Sequence, residues 1–144
     1  MKSLGSLMLM TALVGAAACV RVEREAAPVH GAWARAADSA ATTAAYLTFV
    51  NRDSMTVRVT SWSSPDARAV ELHQTMNMNG MMSMMPITSP AEVEPGDSLQ
   101  LVPGARHLMV IGLKKRAVAG DSITIVLATD AGRSVRVRAP VLAP

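Results

Sequence analysis

Alternation of apolar and polar positions sets the first expectation for this chain. "MTVRVTSW" (55–62) places Val57 and Val59 against Thr56, Arg58 and Thr60. "SLQLV" (98–102) puts Leu99 and Leu101 on one side, and "RSVRVRA" (133–139) sets Val135 and Val137 against Arg136 and Arg138. Successive side chains of a strand point to opposite faces, so a period of two marks a half-buried strand. "AAYLTFVN" (44–51) is apolar and aromatic, and "SITIVLAT" (122–129) is rich in branched residues, as strands are. Turn residues separate the runs: "NRDS" (51–54), "SSPD" (63–66), "EPGD" (94–97), "VPG" (102–104), "AGD" (119–121) and "DAG" (130–132). "DSAATTAA" (38–45) reads as a loop or a short helical turn. Strands at short intervals with no long amphipathic helix predict an all-β single domain, an antiparallel sandwich or barrel.

The start of the chain breaks the pattern. Lys2 precedes an apolar, small-residue run over 4–18, which reads as a signal peptide of residues 1–18 and is too short for a membrane span. "LVGAAAC" resembles a bacterial lipobox, with the departure that Ala16 stands where the pattern prefers leucine. The resemblance implies that Cys19 is acylated and becomes the mature N-terminus. Residues 19–29 then form a tether, and residues 30–144 form the domain. The protein is expected in the periplasm or on the outer face of a bacterial cell envelope, touching membrane only through the lipid. Cys19 is the only cysteine, so no disulfide within the chain is possible. The formal net charge of +3 includes Lys2, the only charge in the signal. The arginines are scattered, so nothing here forms an electrostatic footprint for nucleic acid. Four aromatic residues are present, and Trp33 and Tyr46 are expected in the core.

Composition changes the picture most between residues 73 and 87, "HQTMNMNGMMSMMPI". Six methionines lie between Met76 and Met85. Packing is the commonest use of methionine. Here Asn77, Asn79, Gly80 and Ser83 interrupt the run, so the segment reads as a loop or hairpin tip with several methionines in solvent. Exposed thioethers invite oxidation and contribute little structurally. A thioether is also a soft, neutral ligand that suits Cu(I) far better than zinc, calcium or magnesium. Two histidines accompany the sulfur. His73 precedes the cluster, and His107 opens "HLM" with Met109 two positions on. On a strand His107 and Met109 share a face while Leu108 points to the core.

With these residues in view, the chain resembles the periplasmic copper chaperones called PCuAC, which are implicated in supplying the CuA centre of cytochrome c oxidase. Their signature is a histidine, about ten residues, a methionine, about twenty-one residues, then H-x-M. Ten residues separate His73 from Met84, and twenty-two separate Met84 from His107, or twenty-one if Met85 is counted. "AWARA" (32–36), "AAYLTFVN" (44–51), "VELH" (70–73), "GMMSMMPI" (80–87), "PG" (103–104), "HLMVIGLKK" (107–115) and "GD" (120–121) match further landmarks. The resemblance implies a cupredoxin-like, Greek-key β-sandwich and a Cu(I) site made by His73, Met84, His107 and Met109. "HQTM" places Met76 one position later than family members do, and Met82 or Met85 can stand in for Met84. Met76, Met78, Met82 and Met85 are candidate auxiliary ligands.

The resemblance implies a monomeric metallochaperone that carries Cu(I) to a recipient cuproprotein, such as cytochrome c oxidase subunit II or another copper-assembly protein. Two other readings stand beside it: an envelope copper buffer or resistance protein, and a metal-free sandwich that grips a protein partner through its methionine loop. A blue-copper electron carrier needs a cysteine thiolate, and Cys19 is misplaced for that. No nucleophile motif, paired catalytic carboxylates or phosphate loop appears, so no enzyme is expected. His30 reads as a solvated histidine at a strand start. Lys114, Lys115 and Arg116 read as a solvated strand end.

Overall fold

The computed structural model describes residues 28–143. The expected signal, Cys19 and the expected tether up to Ala27 lie outside the described residues. The runs of alternating residues become ten strands: β1 (Val29–Arg35), β2 (Thr43–Val50), β3 (Val57–Ser63), β4 (Ala67–Met78), β5 (Met81–Pro86), β6 (Ala91–Val93), β7 (Ser98–Leu101), β8 (Arg106–Leu113), β9 (Ser122–Thr129) and β10 (Ser134–Leu142). Burial follows the sequence pattern closely in β9, where Ile123, Ile125, Leu127 and Thr129 are buried and the residues between them are not. The strand read at 44–51 begins one residue earlier, at Thr43, inside the segment read as a loop or short helical turn, and Thr43, Ala44 and Ala45 pair with Val110, Met109 and Leu108. Of the two readings of the methionine segment, loop or hairpin tip, the structure has the hairpin: two paired strands around a minimal turn.

The strands run β5-β4-β8-β2-β1-β10-β9-β3-β6, with β7 also paired to β2. Pairing is antiparallel except between β1 and β10. β10 links the two halves: Ser134–Pro140 pair with β9, and Val141 and Leu142 continue alongside β1. The sheet folds over itself as a sandwich, and one hydrophobic core draws on both halves. Leu47, Leu72, Leu108 and Val110 come from one half, and Val59, Ile123, Ile125 and Leu127 from the other. Burial of each such side chain contributes about 1.5–3 kcal/mol. This core fixes the inner face of β4 and β8, and therefore fixes what their outer face presents.

Candidate metal centre

β4 and β8 pair with Leu72 opposite Leu108 and His73 opposite His107. Leu72 and Leu108 belong to the core. The pleat therefore sends His73 and His107 to the other face. The next pair on that face is Glu71 with Met109. The two imidazole centroids are 6.1 Å apart. One ion can bridge that gap when each nitrogen lies about 2 Å from it, as in imidazole–zinc sites.

Hydrogen bonds decide which nitrogens are available. His107 Nδ1 lies 3.1 Å from the Ala105 carbonyl oxygen. A carbonyl only accepts, so Nδ1 carries the proton and Nε2 keeps a bare lone pair. His73 Nε2 lies 3.0 Å from Glu71 Oε2. That contact assigns the proton to Nε2 and leaves the lone pair on Nδ1. A carboxylate that orients an imidazole in this way also makes it a better donor. Among the described residues, His73 Nδ1 is the one buried side-chain nitrogen or oxygen without a hydrogen-bond partner. Buried polar atoms are almost always satisfied, because leaving one bare costs about 1–3 kcal/mol. An orphaned lone pair beside a second bare imidazole nitrogen suits a metal.

The sulfur arrives on the hairpin of β4 and β5. Its turn is Asn79-Gly80, both with positive φ (54° and 85°). Two left-handed residues make the type I′ turn whose twist matches a hairpin, and asparagine and glycine tolerate that backbone best. The Gly80 amide also donates to Asn77 Oδ1 at 2.8 Å. The register then sorts the methionines. Met84 faces Thr75 and Met82 faces Asn77, on the histidine side. Met85 faces Gln74, Met76 faces Ser83, and Met78 faces Met81, all on the reverse side. The sequence reading allowed Met82 or Met85 to stand in for Met84; the pleat leaves Met82 on the histidine side and turns Met85 away. Met84, His107 and Met109 line one concavity with Arg35, Tyr46 and Thr75. Ala44, opposite Met109, contributes only a methyl group and leaves the hollow open. His73 adjoins this hollow through its ring contact with His107. Another cavity, near Phe49, Asn51 and Arg133, contains neither histidine nor methionine.

Trp33 and Tyr46 belong to this outer face, not to the core cluster where the sequence placed them. Their rings stack 4.4 Å apart, and Tyr46 lies 6.5 Å from His107. Arg35 Nε donates to the Tyr46 hydroxyl at 3.3 Å, and its guanidinium carbon lies 6.0 Å from both ring centroids. Tyr46 is nonetheless buried, because its neighbours on that face cover it. Glu71 was missed too, although its place two residues before His73 on one strand was a readable signal. His30 is exposed on β1 as expected. Arg116 pairs with Asp38 at 3.2 Å, well exposed. Among the described residues no three His, Cys, Asp or Glu side chains gather to hold a metal. A metal here therefore depends on thioether sulfur.

The family model described as "Putative lipoprotein LpqE-like" matches residues 28–141. "Putative lipoprotein Lxx21020" of Leifsonia xyli subsp. xyli is 35% identical over 113 residues, 78% of this chain and 68% of that protein. The apo PCuAC domain from PmoF1 superposes with a TM-score of 0.64 at 19% identity, over 81% of this chain and 92% of that one. The CuI-DR1885 solution structure from Deinococcus radiodurans gives a TM-score of 0.54 at 28% identity, over 86% and 85% of the two chains. The fold is thus the cupredoxin-like sandwich of PCuAC domains, and the chain belongs to the LpqE-like lipoprotein family, a family of the PCuAC type.

Proposed function

We propose that this protein is an envelope Cu(I) chaperone whose ligands are His73 Nδ1, His107 Nε2 and the sulfurs of Met84 and Met109. The orphaned His73 Nδ1 is the observation that carries this reading. Two neutral imidazoles and two neutral thioethers form a soft donor set suited to Cu(I). The copper-bound state of a structural relative, CuI-DR1885, supports the choice of metal. Met84 is preferred over Met85 because only Met84 shares the histidine face. Cys19 is proposed as the lipid-bearing residue, in keeping with the lipoprotein family. The role is to carry metal rather than to catalyse.

Exposure is graded across the donors. His107 is 4% exposed, Met109 is half-buried and Met84 is 58% exposed. Met84 is thus the outermost ligand and the one a recipient displaces first. His107 and Met109 retain the ion until a second donor arrives. Neutral donors leave the +1 charge of the ion nearly uncompensated, with the Glu71 carboxylate as the adjoining anion, so hold and release stay close in free energy. The recipient is proposed to be a cuproprotein such as the CuA subunit of cytochrome c oxidase.

The test is anaerobic Cu(I) titration against a competing chelator, using the chain without residues 1–19. The His107→Ala/Met109→Ala variant should lose at least about 100-fold in affinity, roughly 2.7 kcal/mol. Unchanged affinity would refute the ligand set. Transfer of the bound ion to a CuA-domain acceptor, faster than its loss to buffer, separates a chaperone from a storage protein.

A further inference from the structure

The front site uses Met84 and Met109, and the register leaves four methionines of the hairpin facing the other way. Met76, Met78, Met81 and Met85 share the reverse face with only Gln74 and Ser83 among the paired residues. They cannot join the histidines, because the strand backbones lie between. They do not serve the core either: none belongs to the core cluster. They are 44%, 55%, 74% and 48% exposed, respectively. Exposed strand positions favour β-branched, aromatic or polar side chains, and here the chain supplies thioethers. Packing and strand propensity thus both fail to account for them.

Three of the four form a compact set. Met78 and Met81 face each other directly across the turn, which sets their β-carbons about 4.5–5.5 Å apart. Met76 sits two residues before Met78 on the same strand face, about 7 Å along. It is also diagonal to Met81, a separation that long side chains span. The type I′ turn at Asn79-Gly80 closes the end of this triangle. The hairpin's own residues on this face carry no charge, so a hard cation finds no anionic partner among them. Arg106 shares the face on β8, opposite Gln74 and at the end away from the turn, and as a cation it offers a metal no donor. Three neutral sulfurs in reach of one point match trigonal Cu(I) coordination and little else.

We propose that Met76, Met78 and Met81 form a second Cu(I) site on the reverse face of the hairpin, made of thioether sulfur alone. It shares the metal of the proposed front site but none of its ligands. Lacking imidazole, it binds more weakly, and its sulfurs are reachable from solvent. It suits collection of Cu(I) at low occupancy, with exchange to a second methionine-rich surface.

The experiment is anaerobic Cu(I) titration of the full chain carrying methionines with 13C-labelled methyl groups, followed by NMR and by chelator competition. Wild type should take up two equivalents. Met76→Leu/Met78→Leu/Met81→Leu should take up one, because leucine retains the apolar volume and removes the sulfur. His73→Ala/His107→Ala should also take up one, with the methyl resonances of Met76, Met78 and Met81 shifting together. One equivalent in wild type that vanishes in the histidine variant overturns the second site and leaves the front site standing. One equivalent that vanishes only in the leucine variant overturns the front site instead. Methyl resonances of the three methionines that stay fixed throughout sink the inference even if the leucine variant misfolds.

Discussion

The two faces of the β4–β8 pair share one ladder of hydrogen bonds and differ in everything else. Inward, Val70 and Leu72 meet Val110 and Leu108 in a core that excludes water. Outward, Glu71 and His73 meet Met109 and His107. The inner face determines register, because a slip of one residue would exchange the two sets completely. The outer face is then free to hold donors that packing would never choose. Hydrophobic burial on one side thus positions chemistry on the other, without any loop to order.

That division of labour can be broken from either side. The largest effect belongs to the core: Leu108→Ala should cost about 2–5 kcal/mol of stability, read by denaturant unfolding. Next comes the partner of the orphaned imidazole. Glu71→Ala frees the His73 ring and should weaken Cu(I) binding about tenfold, the low end for a supporting carboxylate because half of Glu71 is exposed. The apo denaturation midpoint of that variant should stay put, since an exposed pair contributes little. Gly80→Ala puts a β-carbon on a left-handed residue and should cost about 1 kcal/mol. Its consequence should be local, seen as faster amide exchange in β5 with the core unchanged. Met109→Leu should cost folding less than about 1.5 kcal/mol, because volume is conserved. Copper affinity should nevertheless fall by about tenfold or more as a thioether is lost, on the same chelator assay.

The inner face was largely legible in the sequence. The alternation around Val57 and Val59 and at Leu99 and Leu101 marks the buried positions, and "HLM" sends Leu108 inward and His107 and Met109 outward. What the sequence hid lies in the hairpin. Its apolar residues carry no alternation, being methionine on both faces, so periodicity could not separate Met84 from Met85. Only pairing with β4 resolves them, and that pairing depends on the tight Asn79-Gly80 turn. Cross-strand neighbours are equally invisible in one dimension. His73 and His107 are thirty-four residues apart in the chain and directly opposed in the sheet. Tyr46 shows a different limit: it is buried as expected, yet stacking with Trp33 and a bond from Arg35 bury it on the outer face.

The stack of Trp33 on Tyr46, beside His107, gives this molecule a built-in optical reporter. Of the two tryptophans, Trp62 sits across the sandwich on β3, so indole emission divides into a sensing and a reference component. Loading of the outer face should dim the first and spare the second, which makes metal occupancy readable by fluorescence without any added label.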